Sequence, residues 1–152
     1  MKIGARNIKT AIAVIIVVQL FIILNWDSPF YAAIAAVIGM QNTVENSYKV
    51  SINRMIGTVI GGIVGFLLTI LFGNNTIIIG LGIILVIAIC NHFNKVNAVV
   101  ISCIVLIAIM TNLKDKLPHI YAIHRVFETS IGLFVAIIVN KFFKIEKFKI
   151  FK

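Results

Sequence analysis

The sequence predicts an all-α fold: a polytopic transmembrane bundle of about six helices, with both termini on the cytoplasmic side. Three observations predict it. Of 152 residues, 61% are hydrophobic and only 12% charged, with a mean hydropathy of +1.08, too little polar surface to cover a water-exposed globule. The apolar residues fall into blocks, the longer of which approach the roughly 20 helical residues needed to cross about 30 Å of hydrocarbon. Lysine and arginine gather in alternate connections, as the positive-inside rule requires, apart from the loop before the sixth block with Lys114, Lys116 and Arg125. Helix is the default because lipid offers backbone groups no other partner.

The first block, 8–26, follows the basic start Lys2, Arg6 and Lys9. It is longer than the apolar core of a signal peptide and lacks a small-x-small cleavage site at its end, so it reads as an uncleaved first span. Gln19, in mid-span, calls for a partner in a neighbouring helix. The second block, 30–43, begins in an aromatic belt of Trp26, Phe30 and Tyr31 and ends on Gln41 and Asn42, placed to line a vestibule near Arg54. The third, 55–72, carries Gly57, Gly61 and Gly65, continued by Thr69 and Gly73, each four residues after the last. Small residues in that register let another backbone approach closely, within the bundle or between subunits.

The fourth and fifth blocks, 76–91 and 96–112, are short and contain Cys90 and Cys103, whose apolar settings argue against a structural disulfide. The sixth, 126–143, holds Glu128, the one acidic residue inside a block; an ion pair with Arg125 one turn earlier is its plain reading and a coupling role the sharper one. The chain divides into a six-helix membrane domain, 1–143, and a basic tail, 144–152. In that tail Ile145, Phe148 and Phe151 recur at helical spacing among lysines, as in a helix lying on anionic lipid.

The net charge of +9 lies between apolar blocks and in the tail, not in an aromatic-studded patch, so it indicates topology and lipid contact, and no nucleic acid. His92, His119 and His124 lack metal-ligand spacing with a third partner. No phosphate-binding loop, nucleophile elbow or zinc-protease motif is present, so neither enzyme activity nor a cofactor is expected.

One pattern recurs. Arg6 with Thr10, Arg54 with Thr58 and Arg125 with Thr129 each fit R-x-x-x-T-x-I at the opening of an apolar block. A permanently charged guanidinium, a hydroxyl one turn on and the positive end of a helix dipole together suit a carboxylate. The plainer alternative has each arginine reaching the headgroups and each threonine bonding back to its own helix. A six-span count puts Arg6 and Arg54 on the cytoplasmic side and Arg125 outside.

The stretches "RNIKTAIAV", "YAAIAAVIGMQNTVENSY", "NRMIGTVIGGIVGFLL" and "HRVFETSIGLFVAIIVN" resemble the membrane domain of the bacterial aromatic acid exporter and fusaric acid resistance family, distantly similar to plant aluminium-activated malate transporters. The element R-x-x-G-T-x-x-G, Arg54 to Gly61, is the most specific part. The resemblance implies a six-helix module that forms a homo-oligomer, a dimer favoured, and moves organic anions along an arginine-lined path. It marks Arg54 and Thr58, and Arg125 with Gly132 at the last span.

The expected function is therefore a multi-pass transporter or channel subunit of the bacterial inner or plasma membrane, acting on organic carboxylates, aromatic ones among them. Arg54, Thr58, Arg125, Thr129, Arg6 and Gln41 are the expected substrate contacts, and Gly57, Gly61, Gly65 and Gly132 the helix-packing positions. The lipid bilayer is the expected partner. The alternative is a non-transporting scaffold or lipid-binding subunit that docks a partner protein through its glycine face.

Overall fold

A computed structural model describes residues 4–26, 28–111 and 118–143. Among these residues there are six α-helices and no strand: α1 Ala5–Ile23, α2 Phe30–Gly39, α3 Val44–Phe72, α4 Thr76–His92, α5 Val99–Thr111 and α6 Pro118–Phe142, with a 3-10 turn Val96–Ala98 leading into α5. The proposed interfacial helix in 144–152 lies outside the described residues, as do Asp27 and most of the loop before α6. By length and composition α1, α3 and α6 are long and apolar enough to cross a membrane. The 10 residues of α2 rise only about 15 Å, half of a typical hydrocarbon core.

Two helices run further than their apolar blocks. α3 begins at Val44, eleven residues before the block at Met55, and α6 at Pro118, eight before Val126. Hydropathy registers the stretch that sits in lipid, whereas a helix continues wherever its backbone bonds and end groups are satisfied. At the start of α3 the Thr43 hydroxyl accepts from the Asn46 amide at 3.2 Å, an N-cap, and Lys49 pairs with Glu45 one turn away at 2.9 Å. At the start of α6 proline occupies a position where its missing amide proton costs nothing.

The connections close on left-handed residues. Asn25 (φ 49°) follows α1, Asn94 (φ 54°) follows α4 and Gly73 (φ 69°) follows α3. After α1 the Trp26 amide reaches back to the Phe21 carbonyl at 3.1 Å, and after α4 the Lys95 amide reaches Cys90 at 2.8 Å, the bonding of a Schellman close. Asn75 caps α4 by accepting from the Ile77 amide at 2.9 Å. Gly73 thus owes its identity to a turn, not to the packing face on which its spacing had placed it.

The chain separates into two compact units. The first comprises 1–51 and 128–152, that is α1, α2, the opening of α3 and the later part of α6. Its core is Ala13, Val17 and Phe21 from α1, Ala32 and Ala36 from α2 with Met40 just after it, and Val135, Ala136 and Val139 from α6. Small residues set the spacing here. A Cβ on Gly132 would collide with the Ala32 carbonyl oxygen, and one on Gly39 would lie 3.0 Å from Leu133 and 3.2 Å from Ala136, so α2 and α6 meet nearly backbone to backbone.

The second unit, 52–127, packs the apolar part of α3 with α4, α5 and the first turns of α6. Gly57, Gly61 and Gly65 all face α5. A Cβ on Gly57 would stand 2.7 Å from the Ala98 carbonyl, one on Gly61 would overlap the Ser102 carbonyl, and one on Gly65 would touch Ile109 at 3.3 Å. Val64 of α3, Val86 and Cys90 of α4 and Leu106 and Met110 of α5 share a second core. Ser102 stays satisfied in this setting by donating to the Ala98 carbonyl at 3.0 Å.

Candidate functional site

Arg54 lies in the second unit on α3. It is 8% exposed, and among the described residues its Nε and Nη1 have no hydrogen-bond partner. Neither does a carboxylate pair with it. A buried guanidinium without a counter-charge is costly, because hydration is lost and nothing replaces it. The apolar run of α3 begins at the next residue, Met55, and from there to Phe72 rises about 26 Å, so this charge sits where the hydrocarbon-length portion of the helix begins. Its planar fork of donors suits the two oxygens of a carboxylate.

The helix dipole does not assist it, contrary to the reading from the sequence. Arg54 lies ten residues beyond the first residue of α3 and Arg125 seven beyond that of α6, whereas the dipole acts within the first turn. Only Arg6 occupies an opening turn. The hydroxyl half of the pattern also differs from expectation. Thr58 donates to the Arg54 carbonyl at 2.9 Å and Thr10 to the Arg6 carbonyl at 2.8 Å, the back-bonding habit of threonine in apolar helices, so neither proton is directed at a solute. Thr58→Val should therefore change stability by less than about 1 kcal/mol and leave anion flux within roughly two-fold of wild type in a proteoliposome assay; a donor role predicts a much larger loss.

Arg125 stacks over the buried Tyr121 ring, its guanidinium carbon 4.4 Å from the centroid, a cation–π contact that holds the charge in place. Further along α6, in the first unit, Glu128 and Thr129 are both buried.

The remaining predicted contacts, Arg6 and Gln41, belong to a polar cluster in the first unit where α1 starts and α2 and α6 end. Arg6 Nε donates to the Met40 carbonyl at 3.1 Å, closing α2. Lys9 Nζ donates to the Asn140 carbonyl at 3.2 Å and to its Oδ1 at 3.0 Å, closing α6. Both cations sit at helix C-termini, where the dipole favours positive charge. Asn140 Nδ2 in turn donates to the Gln41 carbonyl at 3.0 Å and to Ser47 Oγ at 2.9 Å. The Gln41 side chain turns back to the Ile38 carbonyl at 2.8 Å. Arg6 and Gln41 thus tie helix ends together.

Asn140, 4% exposed, is the hub that the sequence reading passed over. Its signal was present: an amide side chain inside an apolar block, as Gln19 is. Gln19 itself is exposed on α1. Asn140→Ala is expected to lower stability by about 2–3 kcal/mol, since it removes the three side-chain hydrogen bonds to Lys9, the Gln41 carbonyl and Ser47, read as a drop in the thermal unfolding midpoint of the detergent-purified protein.

Two helical units with apolar outer faces, three helices of spanning length and a cation buried at the start of an apolar run define an integral membrane protein of the helical type. Residues 1–143 match the family model described as aromatic acid exporter family member 1, and the chain belongs to the aromatic acid exporter family. Among curated proteins it is similar to the UPF0421 protein YgaE of Bacillus subtilis, 28% identical over 98% of this chain and 42% of that protein. It is likewise similar to the UPF0421 protein OB2406 of Oceanobacillus iheyensis, 30% identical over 92% of this chain and 40% of that protein. The UPF0421 protein SH1063 of Staphylococcus haemolyticus is 27% identical over 91% and 42%. The chain therefore spans about two fifths of the length of the curated relatives it matches. No solved structure matches it.

Proposed function

We infer that the chain forms the membrane-embedded part of an exporter for organic carboxylates, aromatic ones among them, working as an oligomer in the bacterial cell membrane. The observation that carries this reading is Arg54, a buried cation that among the described residues has two unpartnered nitrogens and no carboxylate of its own, within a chain of an exporter family. A carboxylate solute supplies the missing counter-charge and accepts both hydrogen bonds, which turns a costly solitary charge into a satisfied pair while the solute is bound. Arg125, held over Tyr121, is the second cation on the path. Arg6 and Gln41, engaged at helix ends, support the architecture of the first unit. Thr58 fixes the backbone beneath Arg54 and Thr129 lies buried on α6.

The test is flux of a panel of radiolabelled organic acids into proteoliposomes containing the purified 152-residue protein. Aromatic and aliphatic carboxylates should exchange while neutral amides of the same shape should not. Equal rates for acids and their amides would refute carboxylate recognition.

A further inference from the structure

We propose that a groove between α1 and α6 of the first unit is a binding site for one anionic phospholipid, its acyl chain lying in the groove and its phosphate at Arg6 and Lys141. The groove measures about 520 Å³, and apart from Ser130 its lining is apolar, with Ile16 and Leu20 on one wall and Phe134 and Ile138 on the other. It follows α6 from Ser130 to Val139, about 14 Å by helical rise, close to half of the roughly 30 Å hydrocarbon thickness. That is the depth of one leaflet, so one acyl chain fits its length.

Charge identifies the headgroup. The Val139 end of the groove adjoins Asn140, where Lys9 crosses from α1 to α6 at 3.0 Å. Arg6, one turn before Lys9 on α1, and Lys141, next to Asn140 on α6, are both exposed. Arg6 uses its Nε on the Met40 carbonyl, and neither residue pairs with a carboxylate among the described residues. Of the acidic residues described in this unit, Glu45 is paired with Lys49 and Glu128 lies beyond the opposite end of the groove. A zwitterionic lipid would bring its own cation to this corner. A second copy of the chain, seated symmetrically, would bring Arg6 and Lys141 against themselves. An anionic phosphate alone complements both the polar end and the apolar trough.

The experiment is native mass spectrometry of the full chain in detergent with equal amounts of phosphatidylglycerol and phosphatidylcholine of the same acyl length. Each interfacial cation contributes roughly five-fold in affinity, so wild-type protein should favour one phosphatidylglycerol by roughly twenty-fold. Lys141→Gln and Arg6→Gln should each cut that preference about five-fold, and Ile138→Trp, which fills the trough, should remove both lipid adducts. Lys141 is exposed and holds no helix end, so its variant keeps the test decisive if either of the others unfolds. Equal retention of the two lipids overturns the proposal. So does an undiminished preference in Lys141→Gln, or efficient cross-linking of Phe134→Cys between copies with no lipid bound.

Discussion

Arg54→Ala is expected to lower carboxylate flux in proteoliposomes about 100-fold or more while leaving the protein folded. The loss follows from removing a bidentate, charge-assisted contact in a desolvated setting, about 3 kcal/mol, which is two orders of magnitude in affinity. Arg54→Lys should be intermediate, down roughly 10-fold, because an ammonium keeps the charge but not the planar fork. Stability should move the other way. Arg54 is buried and among the described residues two of its nitrogens have no partner, so Arg54→Met, of similar length and without charge, should unfold at the same temperature as wild type or a few degrees higher. A variant that is inactive yet at least as stable separates a functional charge from an architectural one. A sharp fall in stability for Arg54→Met would mean that the guanidinium holds the fold.

Gly61→Leu should prevent the second unit from forming. A Cβ at this position already collides with the carbonyl of Ser102 and would stand 3.0 Å from its Cα, and backbone cannot yield as the end of a side chain can. Overpacking at a yielding site costs about 1–3 kcal/mol; here α3 and α5 must separate, breaking contacts along Gly57 and Gly65 as well, so the cost exceeds that range. Size-exclusion chromatography should show aggregate in place of a folded peak. Gly80→Leu is the control, since Gly80 is exposed on α4 of the same unit and nothing lies within 4 Å of a Cβ there, and it should behave as wild type.

The six helices and their order were legible because each carries an apolar run that only lipid or a core can accommodate. The four-residue glycine repeat was legible as a close contact, and the structure places its partner on α5 of the same unit. Helix ends were not, because hydropathy marks the membrane-length stretch while Thr43, Glu45 and Lys49 extend α3 into polar sequence. That misplacement had a chemical consequence: Arg54 and Arg125 read as first-turn residues, and a dipole was credited to them that acts only near true helix starts. The Thr58 hydroxyl illustrates a different gap, since a residue type that can donate to a solute can as easily donate to its own helix. Asn140 shows a third. Its three partners, Lys9, Gln41 and Ser47, lie 93 to 131 residues away in the chain, and no local pattern connects them.

Equilibrium binding of a radiolabelled aromatic carboxylate to the purified protein, wild type against Arg54→Ala, tests the central claim most directly. Saturable binding to wild type that falls at least tenfold in affinity in Arg54→Ala, with both proteins folded, is the expected result. Equal affinity in the two proteins would contradict the account.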